Sequence, residues 1–505
     1  MDVSARIGTV LGLDEHRPAA YFEGSWDTWG QVRRRVERLD HLLSTAGLGA
    51  GQPVGLVTRN RPGHLCAIQA LLSTRRCVVP ISSIATDELV ADDVARLGVP
   101  AVIAAPGDWS RAGLVDRCQA LGVLGIEISG DARLVPGLEV ARLRAEPLDG
   151  VAVLMPTSGT TGPPKRIRYT YDQINGALDR VARYSAATSR SLAGPPELRS
   201  GVLLSHLTLA HVGGFWAVVQ GSAEGRPIAL LERFEPHAWA DLVAEHRVKT
   251  SALPPAMLRM VLDADVDPAK LRSLAAVGCG TAPLDPGTAD KFTDRYGIPV
   301  LTAYGATEFP GGTVGWTLEN YRQHWTRKRG SAGRARPGIG VRIVDPETGA
   351  VLPPGEEGIL AIRSPQAATR TPDGWVRTND LGRLDADGFL WLVGRADDAI
   401  NRGGFKIVPQ VVEAVLADHP AVTDAGVVGL PDDRLGEVPV AAVTVRAPVA
   451  EEELRAWVRK HLASYQVPAE IRVVEELPRT ASLKVAKAEL RKLLGQRAAS
   501  DVSSL

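Results

Sequence analysis

The stretch Met155–Thr170, MPTSGTTGPPKRIRYT, gathers groups able to hold a polyanion. Thr157, Ser158, Thr160 and Thr161 carry hydroxyls that donate hydrogen bonds. Gly159 and Gly162 let the backbone come close to a phosphate, and Lys165 supplies charge. No apolar period of helix or strand runs through the stretch, so it is a loop. It is not the G-x-x-x-x-G-K-[ST] phosphate loop, because two prolines precede Lys165 and no hydroxyl residue follows it. A second glycine pair, Gly278-Cys279-Gly280, lacks the third glycine of a dinucleotide fingerprint.

The elements that must position such a loop follow from the apolar pattern. The chain has 505 residues, too many for one ordinary core, so at least two domains are expected. TWGQVRRRVERLDHLLSTAGLGAGQPVGLVTRN reads as an amphipathic helix, a glycine-rich stop and a strand beginning near Val54. HLCAIQALLSTRRCVVPIS repeats the unit, VPAVIAAP is a further strand, and RPIALLERF and LAAVGCGTAPL continue the alternation. Such alternation predicts a largely parallel sheet with helices on its faces. After about Gly333, Pro-Glu-Thr-Gly and Pro-Pro-Gly turns between alternating strands predict a β-rich subdomain. GRADDAINRGG reads as a polar connector, with a boundary near Ala396–Asp398, and the remainder as a compact α+β unit. The expected architecture is therefore α/β: a large N-terminal domain (1–396) of layered α/β subdomains plus the β-rich subdomain, and a small α+β lid (397–505). The tail GQRAASDVSSL is expected to fray.

Composition excludes several roles. Lys+Arg and Asp+Glu each total 58, so the chain is neutral and argues against general nucleic-acid or anionic-membrane binding. Cys66, Cys77, Cys118 and Cys279 form no CxxC pair, which fits buried thiols in a reducing cytoplasm. Neither a signal peptide nor a membrane-spanning run is visible.

The loop motif resembles [ST]-S-G-T-T-G-x-P-K, the phosphate loop of the acyl-adenylate-forming enzymes, which include acyl- and aryl-CoA ligases, peptide-synthetase adenylation domains and luciferases. Further segments keep that family's order along nearly the whole chain. AYGATEF resembles its Y-G-x-T-E, which implies that Tyr304 stacks on adenine, Thr307 contacts the α-phosphate and Glu308 is the Mg²⁺ residue. A hard cation suits a carboxylate supplemented by phosphate oxygens. VGCGTAPLD implies that Gly280, Thr281 and Ala282 line the adenine and acyl pockets. In NDLGRLDADGFLWLVGRADDAINRGGFKI, the resemblance assigns Asp380 to the ribose hydroxyls, Arg395 to the nucleotide and Asp397 to an interdomain hinge. It assigns Gly403, Gly404 and Phe405 to a pantetheine tunnel. LPRTASLKVAKAEL places the adenylating lysine at Lys484, with Lys487 its nearest competitor. HLTLAHVGGFW resembles the acyl-pocket segment and places His211, rather than His206, in the pocket. Gly213, Phe215, Gly278, Gly305, Phe309 and Gly311 are expected to complete it.

The chain departs from the family at Arg166, Asn379 and Leu483, each in place of a glycine, and at Thr208 in place of a proline. None of these removes a charged catalytic group, and Leu483 stands where it can alter closing of the C-terminal loop. The resemblance implies ATP and Mg²⁺, attack of a carboxylate on the α-phosphorus, and transfer of the acyl group from AMP to a thiol after the lid rotates about Asp397. Mg²⁺ held by Glu308, together with Lys484, would offset the repulsion of the two anions. No acid stands near His211 to pair an α-ammonium, so α-amino acids are disfavoured. Val212, Gly213, Gly214, Phe215 and Trp216 suit an aryl, alicyclic or fatty acyl group, and Gly311-Gly312 leave room for a bulky one. Coenzyme A is the expected acceptor. The alternatives are the phosphopantetheine of an acyl carrier protein in natural-product biosynthesis, or a nucleotide-binding protein without catalysis.

Overall fold

A computed structural model of the chain describes residues 2–157, 165–184, 194–369, 371–480 and 483–496. Its first layer is a seven-stranded sheet in the order Ala132–Leu134, Leu124–Ile128, Ala101–Ala104, Pro53–Thr58, Cys77–Ser82, Val151–Pro156, Arg166–Thr170. The five inner strands run parallel and each edge strand is antiparallel to its neighbour. Pro53–Thr58 is buried at every position, as a strand covered on both faces must be. Val54 and Leu56 face the core with helices Trp29–Thr45 and Pro62–Ser73, whereas Val57 faces the core with helices Asp87–Leu97 and Leu114–Leu121. The alternating helix and strand pattern thus becomes the expected layered sheet, and the antiparallel edge strand Arg166–Thr170 is the return limb of the Ser/Thr/Gly loop.

A second sheet runs Thr250–Ala252, Ala276–Cys279, Val300–Tyr304, Val314–Gly315, Arg334–Ala335, and ends its central strand at Tyr304. The β-rich subdomain is the antiparallel sheet Gly340–Val344, Glu357–Arg363, Trp375–Leu384, Leu390–Arg395. The C-terminal domain pairs Val422–Asp432 with Gly436–Val445, adds Glu470–Val473 in parallel, and is covered by helices Pro409–Ala417, Glu451–His461 and Lys487–Gly495.

The connector differs from its sequence reading. Only Ala396–Asp398 is a short 3₁₀ turn. Ile400–Arg402 is a strand that pairs with Phe405–Ile407 in a hairpin. Arg402 faces Phe405 across a two-residue turn, and Gly403 and Gly404 take φ of 57° and 88°. Positive φ at both central positions is the geometry of a type I′ hairpin turn, which accounts for the glycine pair on local grounds. All four cysteines are buried free thiols, and burial pushes each up to about 12.

Candidate active site

The Ser/Thr/Gly loop is fastened at its neck. Pro156 pairs with Arg166, and the Thr157 amide donates to the Lys165 carbonyl at 2.9 Å. Ser158, Gly159, Thr160, Thr161 and Gly162 lie outside the described residues, while Lys165 is exposed. Arg166 does not join Lys165 as a second site cation. It turns under the sheet and donates to Asp93 Oδ2 at 2.5 Å, to the Leu154 carbonyl at 3.3 Å and to the Pro80 carbonyl.

From the same return limb, the Tyr169 hydroxyl donates to the Thr307 carbonyl, tying the loop to the Y-G-A-T-E turn. Sequence reasoning missed Tyr169, since nothing in its neighbourhood marks it. Tyr304 ends its strand with its ring buried among Phe309, Val314 and Leu360, and its hydroxyl donates to Asp380 Oδ2 at 2.6 Å. Burial, and then the Asp380 charge, push the Tyr304 phenol well above its ordinary range, so it remains a donor. Asp380 lies opposite Arg395 in the paired strands. The Glu308 carbonyl accepts from the Ala368 amide at 2.8 Å.

Gly278 belongs to the strand Ala276–Cys279, and a β-carbon on Gly280 would lie 3.2 Å from the Ala303 carbonyl, so the two strand ends abut. Thr281, before Ala282, takes φ of 72°, a left-handed conformation that costs a non-glycine residue about 1 kcal/mol. Its Oγ1 is buried with no partner among the described residues. Strain coupled to an orphaned hydroxyl marks a place where a ligand completes the bonding.

Lys484 comes from the C-terminal domain and sits close to Asp380, Arg395 and His211 of the N-terminal domain. Burial lowers its pKa, Asp380 opposes the shift and Arg395 adds to it. His211 caps the helix Val212–Ala223, its Nδ1 accepting from the Gly213 amide at 3.2 Å. Burial, reinforced by the Lys484 charge, depresses His211 to about 4, so the ring is neutral with its hydrogen on Nε2. His206 is buried elsewhere, with Nε2 against the Ala252 carbonyl at 2.6 Å. Lys487 is separated from Lys484 in kind: it is buried, pairs with Glu413 and donates to the Val427 carbonyl at 2.8 Å.

The remaining expected residues divide. A β-carbon on Gly213 would make only ordinary contact, 3.5 Å from His211 Nδ1, whereas Gly305 and Gly311 are closely abutted by neighbours, and the rings of Phe215 and Phe309 are packed inside core clusters. Arg395 grips Asp397 through two bonds of 2.8 and 2.7 Å, and Asn379 donates to the same carboxylate at 3.2 Å. The Asn379 departure therefore adds a bond to Asp397, the residue expected at the hinge. Gly403, Gly404 and Phe405 form an exposed hairpin tip, where Phe405 stacks on Tyr465 with ring centres 4.6 Å apart. Among the described residues no group of three or more His, Cys, Asp or Glu side chains gathers to hold a metal. A lone carboxylate at Glu308 fits a cation that draws its other ligands from phosphates and water. No helix among the described residues is long and apolar enough to cross a membrane.

Against known proteins, residues 13–370 match the AMP-binding enzyme family and residues 411–484 match the AMP-binding enzyme C-terminal domain. A feruloyl-CoA synthase from Amycolatopsis sp. is 30% identical over 509 residues, covering 96% of this chain and 97% of that protein. The o-succinylbenzoate coenzyme A synthetase of Bacillus subtilis, solved with ATP and magnesium ion, is 25% identical with a TM-score of 0.79 and covers 96% of this chain and 99% of its own. An amide bond synthetase from Marinactinospora thermotolerans is 27% identical with a TM-score of 0.79, covering 97% and 99%. The chain belongs to the acyl-adenylate-forming AMP-binding enzymes, with the large N-terminal and small C-terminal domains of that family and with acid–thiol ligases among its relatives.

Proposed function

We propose that the enzyme activates a carboxylic acid with ATP, releasing pyrophosphate, and transfers the acyl group to the thiol of coenzyme A with release of AMP. The observation that carries this reading is the burial of Lys484, from the C-terminal domain, within electrostatic reach of Asp380, Arg395 and His211 of the N-terminal domain. Asp380, oriented by the Tyr304 hydroxyl, receives the ribose hydroxyls. The 157–165 loop holds the leaving pyrophosphate, and Thr307 lies at the α-phosphate. Mg²⁺, when bound through Glu308 and the phosphates, supplies charge neutralisation. Lys484 enters as a partly desolvated cation in a site shut off from water, where its charge counts most against the repulsion of carboxylate and phosphate. Neutral His211 beside it presents an Nε2–H donor without adding a further positive charge to those of Lys484 and Arg395.

We place the domain boundary at 396/397, with the lid turning about Asp397 so that the Gly403–Phe405 hairpin replaces Lys484 during thioester formation. The reading is of a cytoplasmic enzyme. Purified protein with ATP, Mg²⁺ and a panel of aryl and aliphatic acids is expected to release pyrophosphate and form a coenzyme A thioester. Transfer instead to a holo carrier protein, or to an amine as the name of the Marinactinospora relative describes, would replace the acceptor while keeping the first step. ATP binding with no acid-dependent pyrophosphate release or hydroxamate formation would overturn catalysis altogether.

A further inference from the structure

The helix Tyr171–Tyr184, which follows the phosphate-loop return strand, carries Arg180 against the turn after Tyr304. Gln173 fixes this helix to the 364–368 segment by donating to the Ala367 carbonyl at 2.6 Å. Two turns on, Arg180 is only 8% exposed. Its Nη2 donates to the Pro310 carbonyl at 3.0 Å, and Nη1 donates to Gln366 Oε1. Its Nε is buried with no partner, and no carboxylate among the described residues lies within ion-pair distance of it. The charged group that faces it is another cation, Arg336, whose Nη1 donates to the Gly311 carbonyl at 2.8 Å. Burial, with Arg336 adding, lowers Arg180 to about 10, which still leaves it charged at neutral pH.

A buried guanidinium held only by neutral acceptors beside a second guanidinium is an expensive arrangement unless an anion completes it. The place where one would complete it is the acyl side of the site. Gly311 takes φ of 82°, and a β-carbon there would lie 3.2 Å from Arg180 Nη2, 3.3 Å from Ala177 Cβ and 3.5 Å from Trp216 Cζ2. Trp216 stands on the helix that His211 caps. Gly312 in turn packs against Gly305, its Cα 3.3 Å from where a Gly305 β-carbon would be. Arg180, Trp216 and the Pro310–Gly312 turn thus share a wall with the first turn of the His211 helix.

We infer that the acid activated here carries a second carboxylate, set off from the reacting one by an apolar spacer, and that Arg180 receives it. This rests on the reading of the site as acid-activating. Trp216 and the glycines accommodate the spacer, and the planar fork of Arg180 suits a carboxylate. The test is pyrophosphate release by the wild-type enzyme with dicarboxylic acids of graded spacer length, each compared with its own monomethyl ester and monoamide. At one spacer length, kcat/KM for the diacid is expected to exceed that of the capped acids by about tenfold or more. Arg180→Gln is expected to bring the ratio close to one, chiefly through KM, and Arg180→Lys to restore part of it. Capped or simple monocarboxylic acids used as well as every diacid by the wild-type enzyme would overturn the inference while leaving acid activation standing. A ratio unchanged by Arg180→Gln would overturn the role of Arg180. Absence of pyrophosphate release with all acids would sink the acid-activating reading, and the inference with it.

Discussion

Leu483 stands immediately before Lys484 with φ of 61°, at the position where the family has glycine. Its amide donates to the Thr480 carbonyl at 2.9 Å, and its carbonyl accepts from Arg479 at 2.9 Å, so the turn is held from within the lid. The side chain does something else: it packs, half-buried, against the N-terminal cluster that includes Trp239, Leu253, Met257 and Phe292. Arg479 also pairs with Asp424, which lies 3.6 Å from Arg259 of the N-terminal domain. Two energies therefore act at one residue. The left-handed backbone costs about 1 kcal/mol wherever the turn is kept. The leucine contact contributes about 1–1.5 kcal/mol, half of a fully buried side chain, in the docked arrangement, and the proposed lid rotation would remove it. Leu483→Ala removes the contact and keeps the strain, whereas Leu483→Gly removes both. Both variants are expected to slow adenylation about five- to tenfold, measured by ATP–pyrophosphate exchange, and to spare thioester formation from supplied acyl-adenylate. The glycine variant is expected to resist urea better than the alanine variant by about 1 kcal/mol. Equal losses in both half-reactions, or adenylation unchanged in Leu483→Ala, would refute the latch.

Other expectations follow from the same geometry. Lys484→Ala should reduce adenylation by two or more orders of magnitude while preserving stability, whereas Lys487→Ala, which strands Glu413, should lower stability by about 3 kcal/mol with the half-reactions in their original ratio; denaturation and exchange assays separate the two. Tyr304→Phe deletes the bond to Asp380 and should raise KM for ATP several-fold with a smaller change in kcat. His64, His206 and His211 are each depressed to about 4 from the ordinary 6.5, first by burial. The unfolded chain therefore binds more protons than the folded one between these values. Stability is full above about pH 6.5 and falls towards pH 4, by about 1.4 kcal/mol per pH unit for each ring. A urea midpoint at pH 5 equal to that at pH 7 would contradict it.

Much of the fold was legible because its cause is local. Helix and strand periods are written in consecutive residues, and a strand buried on both faces leaves an unbroken apolar run such as Val54 to Val57. The loop and the Y-G-A-T-E segment could be found because their residue types are unusual in series. What escaped depends on residues distant in the chain. Tyr169 looks like any strand tyrosine until Thr307 folds against it, and Arg166 looks like a partner for Lys165 until Asp93 claims it. Arg180 gives no signal in a polar helix, since its isolation from acids is a property of packing. The hairpin glycines are ambiguous for a different reason: the demands of a tight turn are met by the same pair that a ligand channel would use.

The side chains around the proposed hinge divide their bonds between the two domains. Asp397 is held by Arg395 and Asn379, both on the sheet of the larger domain, while the next residue, Asp398, accepts from Gln410 of the C-terminal domain at 3.3 Å. Adjacent aspartates are thus moored to opposite shores, one residue beyond the proposed 396/397 boundary. An exchange of lids between related enzymes that keeps Asp397 with the larger domain and brings Asp398 with the incoming lid is expected to preserve both moorings.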